Sequence, residues 1–433
     1  MIRGGLQKLP INESLIVYSP NRFLNHAAIN PVWHLVNDIR TAGLTSKNPF
    51  QFTDDATAKN TVSQLLAKSV KLTPQLFTTT RPNIIILILE SHTADLISEM
   101  GGENVSPGIN QLIQNGFLFS SVYSSGTRTD QGIVSILSGW PATPYHSIMR
   151  SSEKEIQLPS LPKLFAASGY ETTFLYGGAS NFSNLNVYCI DQRFQTIIDE
   201  RNLNPVYPRG QWGVADEYVL TEQLKLTDRL QQPFFSTVMT LSNHEPFDVP
   251  GPVRFPGNDI PDRFRNSAAY TDACLTDFFT KAKTHPWYSN TLFIVAADHG
   301  HHLPKNRSDS YPFSKKIPLL FFGDVLKPEF KGMTNSTIGG HHDLPATLLP
   351  QLNLSSDSFT WSKNLLDSNT ASFGYFQIEA VVGWVEKNAW FSYSFDEKRY
   401  IGESDSLSSV KRDSMMFRAN SFLQVLYRDY KSK

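Results

Sequence analysis

Six consecutive aliphatic side chains, Ile84 to Leu89, run between Asn83 and Glu90. A run this short and this rich in β-branched residues predicts a strand buried on both faces. The same signature returns in FLFSSVY (117–123), ETTFLY (171–176), PFFSTVMTL (233–241) and TLFIVAA (291–297). Between these runs, helical patterning covers VSPGINQLIQNG (105–116), DQGIVSILSG (130–139), 159–168, 214–230 and 264–284. Strands alternating with helices predict an α/β fold with a mostly parallel central sheet sandwiched by helices. Beyond about residue 355 the rhythm becomes short aromatic strands, SFGYFQI (372–378), AWFSYSF (389–395) and RYIGES (399–404), then a last helix. That tail reads as a small antiparallel sheet packed on the main domain. Residues 1–80 show no strand alternation, only helical pieces around HAAINPVWHLVNDI (26–39) and DDATAKNTVSQLLAKSV (54–70). The expected division is therefore an N-terminal arm over 1–80, a main domain over 81–355 and a β-plus-helix subdomain over 356–433.

Charge narrows the partners. The 433 residues carry 39 Lys and Arg against 40 Asp and Glu, a formal net charge of −1. No global field favours nucleic acid or an anionic membrane. Cys189 and Cys274 stand far apart with no CxxC pair, which argues against a disulfide framework or a structural zinc cluster. No apolar run approaches the roughly 20 residues of a membrane span, and MIRGGLQKLP contains no apolar signal region.

In open parallel sheets, ligands gather at the carboxyl ends of the strands. Here NIIILIL ends in Glu90, PFFSTVMTL runs into SNHEPF with His244, and TLFIVAA ends in Asp298-His299. Neighbouring strand residues face opposite ways, so Asp298 and His299 share an ion only if the chain turns, and Gly300 makes such a turn cheap. The alternative is a carboxylate bonded to its neighbour's imidazole. Alone, Glu90 reads equally as a cap or ion-pair residue and His244 as a structural histidine; their shared location raises both. In SSGTRTDQGIVSILSG (124–139), Thr127 and Thr129 flank Arg128 just before an apolar helix. Spacing alone favours an N-cap there. A nucleophile is the sharper reading, because a helix N-terminus stabilises both an alkoxide and a phosphate.

Taken in order, PNIIILILES (82–91), SGTRTDQGIVSILSGWPA (125–142), TLSNHEPF (240–247) and VAADHG (295–300) resemble the alkaline-phosphatase superfamily. Within it they are most similar to the sulfatase-like, lipoteichoic-acid-synthase-like phosphoglycerol transferases. The resemblance covers about 80 to 350. It implies one divalent cation, Mn2+ or Zn2+, held by Glu90, Thr129, Asp298 and His299. It also implies Thr129, the second threonine of Gly-Thr-x-Thr, as nucleophile, and His244 as the histidine that meets substrate or leaving group. Arg128, His301 and His302 become candidate substrate contacts. At the loop where such transferases place a tryptophan and an arginine, YGGASNFSNLN (176–186) offers Phe182 and Asn184 and no arginine. One charge-assisted phosphate contact is therefore expected to be missing, and a head group other than glycerol phosphate to be preferred. In GGHHDLPATLL (339–349), His342 is a candidate ligand for a second ion together with His244, against a plain reading in which Asp343 caps the following helix. No serine or cysteine stands in the C/S-x-P-x-R setting a true arylsulfatase requires.

The resemblance further implies N-terminal membrane helices outside this chain. The catalytic ectodomain would then lie on the outer face of the cytoplasmic membrane, in the cell envelope. The expected activity is metal-dependent phosphotransfer from a phospholipid or phosphodiester head group through a phosphothreonine. The alternatives are a phosphodiesterase or phosphatase-type hydrolase, and a catalytically inactive binding or sensor module.

Overall fold

The strand Asn83–Leu89 (β1) has no exposed side chain because a strand lies on each edge and helices cover both faces. In the computed structural model, which describes residues 13–19, 22–32, 35, 48–68, 73–405 and 407–433, Ile84 to Leu89 are all 0% exposed. Burial of each such side chain contributes about 1.5–3 kcal/mol. The remaining strands of the central sheet are β2 (Phe117–Phe119), β4 (Glu171–Tyr176), β5 (Thr196–Ile198), β6 (Phe234–Met239), β7 (Thr291–Ala297), β9 (Leu319–Phe322) and β10 (Met333–Asn335). Their order is β10-β2-β9-β7-β1-β6-β4-β5. All pairings are parallel except those of β9, which runs against both β7 and β2. The expected parallel sandwich is present, with one reversed strand inserted.

Register decides where chemistry collects. β1 pairs β7 with Leu89 opposite Ala297, and pairs β6 with Ile88 opposite Met239. The next residues are Glu90, Asp298 and Thr240, so the three strands discharge their polar ends side by side. Backbone bonds extend the ladder one step beyond the strands, Asp298 N–H to Leu89 C=O at 3.2 Å and Thr240 N–H to Ile88 C=O at 3.0 Å.

FLFSSVY, read as one strand, divides. Its second half, β3 (Val122–Tyr123), joins β8 (Lys316–Ile317) and β11 (Gly339–Gly340) in a separate three-stranded sheet that the patterning did not reveal. The C-terminal antiparallel sheet is β12 (Gly374–Ile378), β13 (Val381–Glu386), β14 (Ala389–Ser394) and β15 (Arg399–Glu403), in sequential order. It reaches the main domain through Gln377 N–H to Ser125 C=O at 2.9 Å, just before the threonine loop. The second arm helix spans Asp55–Leu65 and packs on the last helix, Ser409–Ser432. Of the first arm segment only a short helix at Arg22–Ala27 and a few following residues are described; the rest lies outside the described residues. No helix among the described residues is long and apolar enough to cross a membrane.

Two short helices, Ser152–Glu155 and Leu185–Asp191, pack against each other. Glu155 is fully buried between them and accepts from Gln192 Nε2. Burial, then Asp191 beside it, raises the Glu155 carboxyl well above the ordinary range. A raised acid is favourable while protonated, so its contribution is complete below the ordinary carboxyl range and is lost as pH rises through the folded-state value. Glu155→Gln, which keeps the shape without the charge, should therefore raise Tm more at pH 8 than at pH 5. Equal losses of Tm at both pH values, followed by scanning calorimetry, would contradict this account.

Candidate active site

Glu90 leaves β1 into a turn whose second residue, Ser91, adopts φ +52°. Left-handed backbone at a non-glycine residue is strained and persists only where surroundings hold it. Here Ser91 N–H donates to Asp298 Oδ1 at 2.8 Å while Ser91 Oγ donates to Glu90 Oε1 at 2.8 Å. His299 N–H is the second donor to Asp298 Oδ1, at 2.7 Å. With Oδ1 saturated, Asp298 Oδ2 is buried and has no hydrogen-bond partner. It faces His299 Nε2 at 3.6 Å, and that nitrogen lies 3.8 Å from Glu90 Oε1.

The imidazole is oriented from its far side. His299 Nδ1 lies 2.9 Å from the Gly300 carbonyl, which only accepts, so Nδ1 carries the hydrogen. Nε2 is thus the atom at which His299 takes a proton or a cation. Burial disfavours the imidazolium, but Asp298 and Glu90 outweigh it and raise the His299 pKa. Burial and the neighbouring Glu90 push Asp298 up to about 7. Two carboxylates and an imidazole with ligating atoms within 4.8 Å of one another form the one such group among the described residues. The unpartnered Oδ2, the aimed Nε2 and the like-charge crowding all fit a divalent ion bound through oxygen and nitrogen.

Thr129 arrives from the helix Thr129–Ser138. Arg128 occupies the N-cap position in extended conformation without a side-chain cap bond, so neither threonine serves as the cap that spacing favoured. Thr129 Oγ1 instead donates to Glu90 Oε2 at 3.3 Å. The Thr127 side chain also borders the cavity, while its backbone N–H donates to Gln131 Oε1 at 3.1 Å. The helix can approach this closely because of Gly132: a Cβ there would stand 2.2 Å from the Asp298 carbonyl oxygen. Gly300 also serves close approach. Its φ is not positive, and a Cβ would meet Ser314 C=O at 2.1 Å.

These groups open into a cavity of about 490 Å³. His244 lines it, its ring 4.3 Å from that of Trp212. Its Nδ1 donates to Glu245 C=O at 2.9 Å, which leaves Nε2 free to accept, and burial lowers its pKa. His301 and His302 both line the cavity and stack on each other at 4.4 Å. His301 also stacks on Phe264 at 4.6 Å and accepts from Leu303 N–H, and burial pushes its pKa down. Phe182 lines the wall. Arg128 sits at the mouth, 3.7 Å from Glu379 of the C-terminal sheet.

Two expected residues fall elsewhere. Asn184 does not line the cavity; it is buried at φ +64°, with its amide oxygen accepting from Ser14 Oγ. Its backbone position starts a helix, and that role consumes it. His342, expected at a second ion, is buried beside Asp343, which Lys363 binds at 2.6 Å; no second cluster of three ligating side chains forms among the described residues. The sequence pattern missed Arg150 and Lys315, cavity cations from stretches with no motif. It also missed Asn243, which donates to Glu90 C=O at 3.2 Å and was within reach through its place in SNHEPF.

A sequence model of the family described as Sulfatase matches residues 82–354. The chain is 27% identical over 300 residues to lipoteichoic acid synthase 1 of Bacillus subtilis, covering 62% of this chain and 45% of that protein. It is 25% identical over 230 residues to a lipoteichoic acid synthase-like protein of the same organism, covering 50% and 36%. The chain thus spans less than half the length of these curated relatives. A solved protein of the alkaline phosphatase superfamily from Vibrio parahaemolyticus superposes with a TM-score of 0.74 at 25% identity, covering 88% of this chain and 97% of that one. The lipoteichoic acid synthase LtaP of Listeria monocytogenes superposes with a TM-score of 0.69 at 18% identity, covering 86% and 98%.

If Glu90, Asp298 and His299 hold the ion, purified Asp298→Ala should retain a wild-type far-UV spectrum and contain less than about a tenth of the bound metal found by elemental analysis in the wild type. Undiminished metal content would remove the assignment.

Proposed function

Because this chain belongs to the Sulfatase family and sets a helix-end threonine beside a buried Glu–Asp–His group, we propose that it is a metal-dependent phosphotransferase acting on phospholipid or other phosphodiester head groups. The observation that carries the reading is the convergence of Thr129 Oγ1 on Glu90 Oε2 at 3.3 Å, with Asp298 and His299 in the same group. Glu90, Asp298, His299 and Thr129 would hold one Mn2+ or Zn2+. Such an ion supplies Lewis-acid stabilisation of phosphoryl charge and lowers the pKa of a hydroxyl bound to it.

The chain's own residues account for the rest. Thr129 Oγ attacks phosphorus at the N-terminal end of its helix, where the first bond within the turn is Gln131 N–H to Arg128 C=O, leaving the Thr129 and Asp130 N–H groups ahead of the helix ladder. A P–O bond to Thr129 forms and the P–O bond to the donor alcohol breaks. The departing oxygen takes up the proton that Thr129 gives up. His244 suits the second half: with Nδ1 donating to Glu245 and burial disfavouring its cation, Nε2 accepts the proton of an acceptor hydroxyl. That hydroxyl displaces Thr129 from phosphorus, and the threonine recovers a proton. Water as acceptor turns the same site into a hydrolase; the likeness to synthases favours transfer to an alcohol. By the same likeness we place the catalytic face at the outer side of the cytoplasmic membrane, as the ectodomain of a membrane protein.

With Mn2+ present and a panel of phospholipid and small phosphodiester donors, Thr129→Ala should lower kcat by at least about 10³-fold. Thr127→Ala should stay within about tenfold of wild type, because of the two threonine hydroxyls that of Thr129 is the one bonded to Glu90. Comparable losses in the two variants would defeat the choice of nucleophile.

A further inference from the structure

Resting on the phosphotransfer reading above, we propose that Arg150 is a phosphate-binding residue of the donor subsite. It supplies, from a different segment, the guanidinium that the Phe182–Asn184 loop lacks. Arg150 ends a short helical turn, Ile148–Arg150, that carries no recognisable motif. Its Nε donates to Asp130 Oδ2 at 2.6 Å and its Nη2 to Ser183 Oγ at 3.1 Å. Asp130 is 3% exposed and follows Thr129 directly, so the guanidinium is tied to the first turn of the helix that bears the nucleophile. Ser183, at φ +50°, belongs to the loop where the arginine is absent.

Geometry separates this side chain from the other cations of the cavity. Lys315 is buried and paired with Asp309 at 3.1 Å, and Arg128 leans outward to Glu379. Arg150 keeps 46% of its side chain exposed while its buried partner holds it from behind. A guanidinium has five N–H groups, and two are committed to Asp130 and Ser183. The three that remain belong to a side chain lining the cavity, already oriented before a ligand arrives. That arrangement suits bidentate recognition of the non-bridging oxygens of a phosphodiester, with little side-chain entropy left to lose on binding. The missing arginine in the loop therefore does not by itself disfavour phosphatidylglycerol among phosphodiester donors.

The test is steady-state kinetics on the metal-loaded full chain, with phosphatidylglycerol in mixed micelles and bis(4-nitrophenyl) phosphate as separate donors. For both, Arg150→Gln should raise KM by about 10- to 100-fold with a smaller change in kcat. Its Tm should stay near wild type, and Arg150→Lys should recover part of the affinity. A purely structural ion pair predicts the opposite split, a fallen Tm and kcat with KM unmoved. If Arg150→Gln fails to fold, Arg150→Lys decides: a KM increase of at least about threefold supports the assignment and an unchanged KM overturns it. Wild type active on either donor, with Arg150→Gln within about twofold in KM, overturns this inference alone. Wild type inactive on both overturns the phosphotransfer reading, and the Arg150 assignment with it.

Discussion

Two carboxylates held against each other away from water dictate most of what surrounds them. Glu90 and Asp298 are 2% and 0% exposed and share a facing imidazole nitrogen. Uncompensated charge in that setting is expensive, and among the described residues the ion pairs of both carboxylates are to His299 and not to a lysine or arginine. Two backbone N–H groups satisfy one oxygen of Asp298 and a strained serine satisfies one oxygen of Glu90. The other Asp298 oxygen is left aimed at His299. That repulsion is eased by protons on Asp298 and His299, whose pKa values it raises, or by a cation from outside.

The fold delivers that arrangement through register more than through side-chain packing. β1 lies between β6 and β7, and the parallel register puts all three polar continuations at one edge of the sheet. The threonine helix then presses onto the back of Asp298 at a glycine, Gly132, where any side chain would strike the carbonyl. His341 Nε2 approaches the same carbonyl at 2.9 Å from another segment. Position at the Glu90–Asp298–His299 group is thus fixed by backbone contacts on buried elements, while the cavity wall at Arg150 and Phe182 is built from short turns and loops. Catalysis tolerates little displacement of reacting groups, whereas head-group choice changes with loop residues.

The central strands, the main helices and the convergence of Glu90, Thr129, His244 and Asp298-His299 on one cavity were legible because each is local. A buried strand announces itself by its apolar run, and its polar end follows directly. The β3-β8-β11 sheet was not legible, since two-residue strands leave no periodicity. Asn184 was misplaced because motif spacing says which residue occupies a loop position and nothing about its φ. At +64° the side chain turns to Ser14. Arg150 was missed for the complementary reason. It stands 34 positions before Asn184 in the chain and meets the loop through a hydrogen bond to Ser183 that no linear pattern encodes. His342 drew attention through histidine density, yet Asp343 and Lys363 form a buried ion pair beside it that needs no ion.

Thermal unfolding of Asp298→Asn beside wild type, each in chelator and in saturating Mn2+, tests the buried-repulsion account most directly. The asparagine oxygen can still accept from Ser91 and His299, and its amide can donate where Oδ2 had no partner. The account predicts a higher Tm than wild type in chelator and no response to Mn2+, while wild type gains about 2.7 kcal/mol at a hundredfold excess over Kd. A lower Tm in chelator with the Mn2+ response intact would show that Asp298 is a structural carboxylate and that no ion depends on it.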